Sequence, residues 1–286
     1  MKITIEIKES RSQLEQMAAQ LGIPPVDGLL QIPPVMGEGF CRLYSLPYGI
    51  QLHHYQYCLN RQVEVQSINE VDTGMYILNI NLSQKLLDKQ IEDRQHWLSR
   101  EGKSGVLFYS PGNNSKGKNE INLPFEVVFF SIPQRSMQQF LDSLHSSSQN
   151  LGSFFCHYAE LDDELTQELL DTLRPKEAQN LFFQQGKLLE ILGKILSLFY
   201  REAWRSKSSG LKLPDVELLL QVKAMLNSHL YGSAPTIDEL ARQVNMSPSQ
   251  LKSKFKSLLG HSIYQYYLKS KLSEAKRLLE QRTGTV

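Results

Sequence analysis

The chain has 286 residues, 41% of them hydrophobic and 21% charged, with a formal net charge of +1 at pH 7. This length predicts two domains, and this composition excludes a fibrous or intrinsically disordered protein. No apolar run is long enough to cross a membrane, and the first residues lack the apolar core and cleavage site of a signal peptide.

The first 134 residues are predicted to form a β-rich domain with one helix. Residues 10–21 form that helix, since their apolar side chains recur on one face until Gly22 and Pro24. Residues 84–98 fit either a helix or strands. Apolar runs separated by Pro, Gly and Asn clusters predict strands over residues 40–46, 50–59, 75–82, 106–109 and 125–132. Short strands with turn signals, notably at 111–119, predict a sandwich or a small barrel.

The sequence gives little support for a metal or cofactor site. His53 and His54 are adjacent, and neighbouring residues on a strand point to opposite faces, so they cannot easily share one metal. With Tyr55 and Tyr57 they could instead line a pocket or occupy ordinary core and surface positions. The three cysteines are widely spaced, which indicates reduced thiols in the cytoplasm. The common catalytic and nucleotide-binding motifs are absent, so we expect no enzymatic activity, no metal and no cofactor.

A helical period replaces the β pattern between residues 135 and 205. The longest helix is predicted over residues 175–204, where apolar side chains recur at spacings of three and four, as in a seam between two helices. This stripe comprises Leu181, Gln185, Leu188, Leu192, Ile195 and Phe199. We prefer a dimer contact along it, and an intramolecular packing face is the alternative. Residues 206–214 are polar and rich in Ser, and they predict a linker to a last domain over residues 215–286.

Two short helices joined by a tight turn are predicted over residues 235–259. Thr236 caps the first helix, and Ser247 caps the second, with Pro248 in its first position. A close helix crossing needs a small residue, a residue that tolerates a left-handed backbone and an apolar residue at fixed spacing. These three are Ala241, Asn245 and Leu251. The spacing predicts a helix-turn-helix that reads DNA, and an αα-hairpin without a ligand is the alternative.

The second helix of this pair is expected to present its exposed residues to base edges in the major groove. Because Leu251 and Phe255 point inward, four residues near the helix start face outward: Ser249, Gln250, Lys252 and Ser253. Lys252 suits guanine, and Gln250 suits adenine. Phosphate contacts, which position the protein without reading sequence, are expected from Lys254, Lys256, His261 and Ser262.

The charge distribution coincides with the helix pair. From Arg242 to the last residue, nine basic and two acidic side chains give a net charge of +7. Since the whole chain carries +1, residues 1–241 sum to −6. Such an asymmetry is typical of a nucleic-acid-binding domain joined to an acidic partner domain.

Residues 219–279 resemble the first half of the DNA-binding domain of AraC/XylS-type transcription regulators. The residues that carry the resemblance read T-I-D-E-L-A-R-Q-V-N-M-S-P-S-Q-L-K-S-K-F-K-S-L-L-G-H-S-I-Y-Q-Y-Y, followed by K-L-S-E-A-K-R-L-L. The resemblance implies base-reading roles for Ser249, Lys252 and Ser253. It also implies a cupin-like sensor domain, with strands over residues 84–98, and contact with RNA polymerase. Family members carry a second helix-turn-helix, which we expect to begin about where this sequence stops.

The sequence thus predicts an α+β protein with a cupin-like sensor over residues 1–134, a helical connector over 135–205 and a helix-turn-helix domain over 215–286. We expect a cytoplasmic transcription regulator that binds double-stranded DNA under the control of an unknown small-molecule effector. One reading unit with few phosphate contacts lies near non-specific affinity, which favours a homodimer. Two alternatives stay open: a cupin-like ligand-binding or metal-dependent protein with a vestigial basic tail, and an adaptor whose tail docks a partner helix.

Overall fold

The computed structural model describes residues 1–83, 87–92, 94–98, 104–143, 156–174, 180–209 and 213–282. The chain divides into two compact units, one of Met1–Arg100 with Ser104–Ile195 and the other beginning at Leu196. The first unit holds the strands and three shorter helices, whereas the second is helical. The predicted α+β class is therefore confirmed.

The strands of the first unit form two sheets. They are β1 (Lys2–Glu6), β2 (Leu29–Gln31), β3 (Gly37–Ser45), β4 (Gln51–Leu59), β5 (Glu64–Ile68), β6 (Tyr76–Asn81), β7 (Leu87–Ile91), β8 (Arg94–Leu98), β9 (Ser104–Tyr109), β10 (Ser115–Lys118), β11 (Pro124–Ile132) and β12 (Cys156–Leu161). The seven-stranded antiparallel sheet has the order β12-β9-β6-β11-β4-β3-β2, and the five-stranded sheet has the order β1-β5-β10-β7-β8. Double-sheet architectures of this kind include the jelly rolls to which cupins belong.

The helices follow the chain order α1 to α8. They are α1 (Gln13–Leu21), α2 (Gln134–Ser143), α3 (Asp163–Leu173), α4 (Leu181–Ser209), α5 (Leu213–Ser228), α6 (Ile237–Gln243), α7 (Pro248–Leu259) and α8 (Ile263–Arg282). Within the described parts of the chain, no helix combines the length and hydropathy needed to cross a membrane.

The strands predicted from apolar runs are present, and the ambiguous residues 84–98 include β7 and β8, as the family resemblance implied. The strand β11 lies between β4 and β6. Its successive side chains Val127 and Val128 are both buried, because the strand is covered on both faces. This burial explains why its apolar residues run consecutively rather than alternating.

Two strands correct the sequence-based prediction. Residues 111–119 were expected to form a turn, but β10 lies within them and pairs with β5 and β7. Residues 135–205 were expected to be helical, but β12 returns to the large sheet and pairs with β9. Leu161 therefore ends a strand. Asp162 then caps α3 by accepting a hydrogen bond from the Leu165 amide at 2.8 Å.

Most of the apolar stripe of α4 is covered within the single chain. Leu188, Leu192 and Ile195 are at most 3% exposed, and the Gln185 side chain donates to the Ser45 carbonyl oxygen at 2.8 Å. Side chains that are already buried cannot form a seam with a second chain. These three positions form an intramolecular packing face, whereas Leu181 at the start of the stripe is 60% exposed. The dimer contact along the stripe stays a prediction.

The expected linker over residues 206–214 is helical at both of its described ends. The helix α4 continues to Ser209, and α5 begins at Leu213.

Candidate nucleic-acid interface

The first helix of the predicted pair, α6, begins at a capping box. Thr236 Oγ1 accepts a hydrogen bond from the Glu239 amide at 3.2 Å, and Glu239 Oε2 accepts one from the Thr236 amide at 2.7 Å. These reciprocal bonds satisfy two amides that the helix start leaves without intrahelical partners. The bond from the Thr236 amide, with a further one from the Thr236 hydroxyl to the same carboxylate oxygen, lowers the pKa of Glu239. Local sequence alone therefore fixes where α6 begins.

The turn between α6 and α7 depends on a left-handed backbone at Asn245. Its φ angle is +52°, a conformation that asparagine tolerates better than most residues with a side chain. The chain reversal is closed by the Met246 amide, which donates to the Ala241 carbonyl oxygen at 3.0 Å. Asn245 thus adopts the conformation that its position in the sequence predicts.

The crossing of the two helices is packed by small and apolar side chains. Ala241 is 1% exposed, and Leu251 and Phe255 are fully buried. They belong to one hydrophobic cluster that also takes residues from α5 and α8, such as Val222 and Ile263. The helix pair is therefore anchored by a core of its own rather than by a single contact.

The second helix of the pair, α7, has defined caps at both ends. Ser247 Oγ accepts from the Gln250 amide, and Gln250 Oε1 accepts from the Ser247 amide, both at 3.3 Å. Pro248 occupies the first helical position, where its missing amide costs nothing. Gly260 ends the helix with φ +73°, a conformation that glycine adopts without steric cost.

One face of α7 is exposed and carries no acidic residue. Ser249, Lys252, Ser253 and Lys256 recur at i, i+3, i+4 and i+7, and all four are exposed. At 3.6 residues per turn these positions lie together on the side opposite Leu251 and Phe255. We name these four residues the exposed face of α7.

The other predicted contact residues lie beside this face. Gln250 is exposed, although one of its side-chain atoms serves the capping box, and His261 is also exposed. Lys254 is only partly exposed and forms an ion pair with Asp215 at 2.8 Å. Ser262 caps α8, because its hydroxyl accepts from the Gln265 amide at 3.2 Å. Two of the expected phosphate contacts therefore already have partners within the unit.

The histidine pair of β4 lies on opposite faces of its strand, as the alternation predicts. His53 stacks on Phe129, with ring centroids 4.6 Å apart, whereas His54 Nε2 lies 2.9 Å from Glu126 Oε1. Burial raises the pKa of Glu126, but its hydrogen bonds with His54 and Arg174 outweigh that effect and lower it. Among the described residues, no three His, Cys, Asp or Glu side chains are grouped so that they could hold a metal ion.

A cavity of about 90 Å³ lies between the two sheets of the first unit. Its wall includes Tyr55 of β4 and Asn79 of β6 from the large sheet, together with Val65 of β5 and Lys89 of β7 from the small one. Sequence reasoning singled out Tyr55 but missed Asn79 and Lys89. The sequence did contain a signal for Asn79, because it is a polar residue within the apolar run of β6.

No protein-family model matches the chain. It is, however, similar in sequence to a bacterial regulatory protein. It is 21% identical to the Msm operon regulatory protein of Streptococcus mutans over 182 residues, which are 62% of each chain. The match thus spans less than two thirds of that relative's length.

Two solved structures of ToxT from Vibrio cholerae are also similar. An apo variant matches 77% of this chain and 97% of its own, with 10% identity and a TM-score of 0.38. Wild-type ToxT bound to an unsaturated fatty acid matches 76% of this chain and 94% of its own, with 10% identity and a TM-score of 0.35.

Proposed function

We propose that this protein is a DNA-binding transcription regulator of the AraC/XylS type, controlled by a small molecule that its β-rich unit binds. The observation that carries the proposal is the two-sided character of α7. Leu251 and Phe255 bury one side in the core of the unit, while the other side exposes two serines and two lysines without an acidic residue. The similarity to an operon regulatory protein points in the same direction.

The exposed face of α7 suits the major groove of DNA. An α-helix fits this groove with its N-terminal residues at the base edges. Lys252 reaches guanine O6 and N7, while Ser249 and Ser253 make shorter contacts that discriminate weakly. Lys256 lies one turn further along and contacts phosphate, which positions the helix but does not read sequence. Gln250, at the edge of the face, offers an amide group that suits adenine.

The energetics favour two copies on one DNA. A single helix-turn-helix with a few phosphate contacts binds with a Kd of about 10⁻⁴ to 10⁻⁶ M at physiological salt, which is near the non-specific level. A homodimer raises the apparent affinity, because the second unit binds at a high effective concentration. By the family resemblance, the bound protein acts in the cytoplasm and contacts RNA polymerase.

A salt titration on double-stranded DNA tests the proposal directly. The affinity of the full chain for a random-sequence duplex is measured by fluorescence anisotropy over a series of salt concentrations. Lys252→Ala and Lys256→Ala are each expected to weaken binding and to reduce the slope of log K against log salt by about one. Lys116→Ala removes the same charge from an exposed residue of β10 in the β-rich unit and serves as the matched control.

Sequence reading needs a second measurement, because phosphate contacts alone give salt dependence. Selection from a pool of random duplexes is expected to enrich one sequence with the wild-type protein. Lys252→Ala is expected to change the enriched bases, whereas Lys256→Ala lowers affinity for all sequences alike. Unchanged slopes for both variants, or no salt-dependent binding at all, would exclude the exposed face of α7 as a DNA-reading surface.

A further inference from the structure

The cavity between the two sheets has mostly apolar walls. Aliphatic side chains such as Ile5, Val65 and Val127 and aromatic rings such as Phe125 and Phe129 face it. Its volume is about 90 Å³, and one water molecule needs about 10–15 Å³ of such space. The cavity therefore has room for several waters or for the body of a small organic molecule.

The charges on the cavity wall have one sign. Two lysines line the cavity, Lys89 and Lys118, and the lining includes no Asp or Glu. Lys118 is neutralised from outside, because its Nζ lies 3.2 Å from Glu64 Oε2 and its side chain is 59% exposed. Lys89 makes no ion pair or hydrogen bond with any described residue, and its Nζ lies 5.7 Å from the ring centroid of Tyr109.

Desolvation disfavours the charged form of Lys89 and lowers the pKa of its amine to about 8, although the electrostatic effect of Cys156 opposes this shift. Lys89 is partly buried, and a poorly solvated ammonium without an ion-paired carboxylate is costly. An anion that entered the cavity would remove this cost and restore the charged form. The wall thus favours an anionic ligand over a neutral or cationic one.

Two further polar atoms on the wall lack partners. Tyr55 Oη and Asn79 Oδ1 are buried and make no hydrogen bond within the described part of the chain, although both residues line the cavity. Asn79 lies two residues along β6 from Ile77, whose register partner on β9 is Tyr109. Asn79 therefore lies on the same face of the large sheet as Ile77, and both Asn79 and Tyr109 line the cavity with Lys89. Buried polar atoms are normally satisfied. An anionic head group would accept from the Tyr55 hydroxyl, whereas Asn79 Oδ1 accepts and needs a donor such as a water molecule.

We propose that the cavity binds a small organic anion, a carboxylate with a compact apolar body, and that Lys89 pairs with the carboxylate. The phenol of Tyr55 can donate a second hydrogen bond, and the aliphatic and aromatic walls bury the body. A sugar-like ligand would need many more hydrogen-bonding groups than this wall provides. A ligand amine would meet an uncompensated like charge at Lys89. The regulatory consequence of binding, though not the site itself, rests on the proposed function.

Matched probes that differ only in the head group test the charge preference. Thermal unfolding of the full chain is followed with benzoate, benzyl alcohol and benzylamine, and with hexanoate, hexanol and hexylamine. Ligands that bind the folded state raise the Tm, and at equal concentration the rise is larger for the tighter binder because stabilisation grows with the logarithm of [L]/Kd. At least one of the two carboxylates is expected to raise the Tm more than its alcohol, and both amines are expected to give no rise.

The variant Lys89→Met separates the lysine from the rest of the cavity. Methionine has a similar length but no charge, so the folded protein is expected to be as stable as the wild type or more stable. Its affinity for the carboxylate is expected to fall at least about tenfold, the value of one charge-assisted contact, with little change for the alcohol. Lys118→Met, at the other lysine of the wall, serves as the matched control and is expected to keep the preference.

Three results would overturn the proposed site: no stabilisation by either carboxylate, equal stabilisation by all three head groups, or a carboxylate preference that survives Lys89→Met. None of these measurements involves DNA, so they are independent of the salt titration. If the carboxylate binds and DNA affinity stays the same with and without it, the site is supported and the regulatory coupling is excluded. If the carboxylate binds and the protein has no affinity for DNA, the site is supported and the proposed function alone fails.

Discussion

Lys254 Nζ lies 2.8 Å from Asp215 Oδ1, so an ion pair ties α7 to the first turn of α5. The two side chains are 29% and 22% exposed, and pairs that face solvent in this way contribute about 0–1 kcal/mol to stability. Asp215 is also favoured by the positive end of the helix dipole. Because Lys254 is paired in this way, only two of the three lysines of α7 are left to attract an external anion.

Neutralising Asp215 should strengthen DNA binding if α7 contacts DNA. In Asp215→Asn the Lys254 ammonium loses its partner and becomes available to phosphate. We expect affinity for a random-sequence duplex to rise about two- to fivefold at low salt, with a salt slope steeper by up to about one. Fluorescence anisotropy measures both. Asp72→Asn makes the same change on an exposed residue of the β-rich unit, and a similar gain there would contradict a local effect.

The turn residue Asn245 should tolerate glycine but not a branched side chain. With φ at +52°, a β-branched residue costs about 1–2 kcal/mol there, since its side chain clashes with the backbone. We expect Asn245→Val to speed amide hydrogen exchange in α6 and α7 and to lower DNA affinity. Asn245→Gly is the control and should exchange like the wild type. Equal exchange in the two variants would show that the turn does not need its left-handed backbone.

The buried imidazole of His53 should make the protein sensitive to acid. Burial lowers the pKa of His53 to about 3, whereas the unfolded chain has the ordinary value of about 6.5. Between these values the unfolded state binds the extra proton, so stability is full above pH 6.5 and falls as the pH drops towards 3. One such group changes the free energy of unfolding by at most about 1.4 kcal/mol per pH unit.

Phenylalanine at position 53 cannot bind a proton in the unfolded chain, and its ring can keep the stacking with Phe129. The free energy of unfolding is measured with urea at a series of pH values. Between pH 6 and pH 4, we expect its slope against pH to be smaller in His53→Phe than in the wild type by the amount that one proton contributes. His157, whose pKa burial lowers to about 4, keeps part of the dependence. His261→Phe makes the same change on an exposed residue and serves as the matched control. An unchanged slope in His53→Phe would mean that His53 is protonated in the folded state.

The amine of Lys89 should titrate well below the ordinary value for a lysine. Burial lowers its pKa to about 8, and a carboxylate beside it favours the charged form and raises that value. In spectra of ¹³C-labelled lysine, one resonance should therefore titrate near 8, be absent in Lys89→Met and shift to higher pH when benzoate or hexanoate binds. A resonance that is the same with and without a bound carboxylate would place the anion away from Lys89.

Much of the fold could be predicted from local patterns, and the errors share one cause. The apolar runs that predicted β4, β6 and β11 carry their own signal. The strands β10 and β12 do not, because Ser115–Lys118 is polar and Cys156–Leu161 precedes a strong helical stripe. Both are strands because distant partners supply their hydrogen bonds: β5 and β7 for β10, and β9 for β12. No short window of sequence contains those partners.

The sequence by itself determined the helix pair, because its caps, its left-handed turn at Asn245 and its small residue at Ala241 act within a few residues of one another. Only the tertiary structure decided which charges and apolar faces stay available. It paired Lys254 with Asp215, buried most of the stripe of α4 within the chain, and brought Lys89 and Asn79 to one cavity. These outcomes depend on contacts between residues far apart in the chain, and such contacts exist only once the sheets and helices have packed.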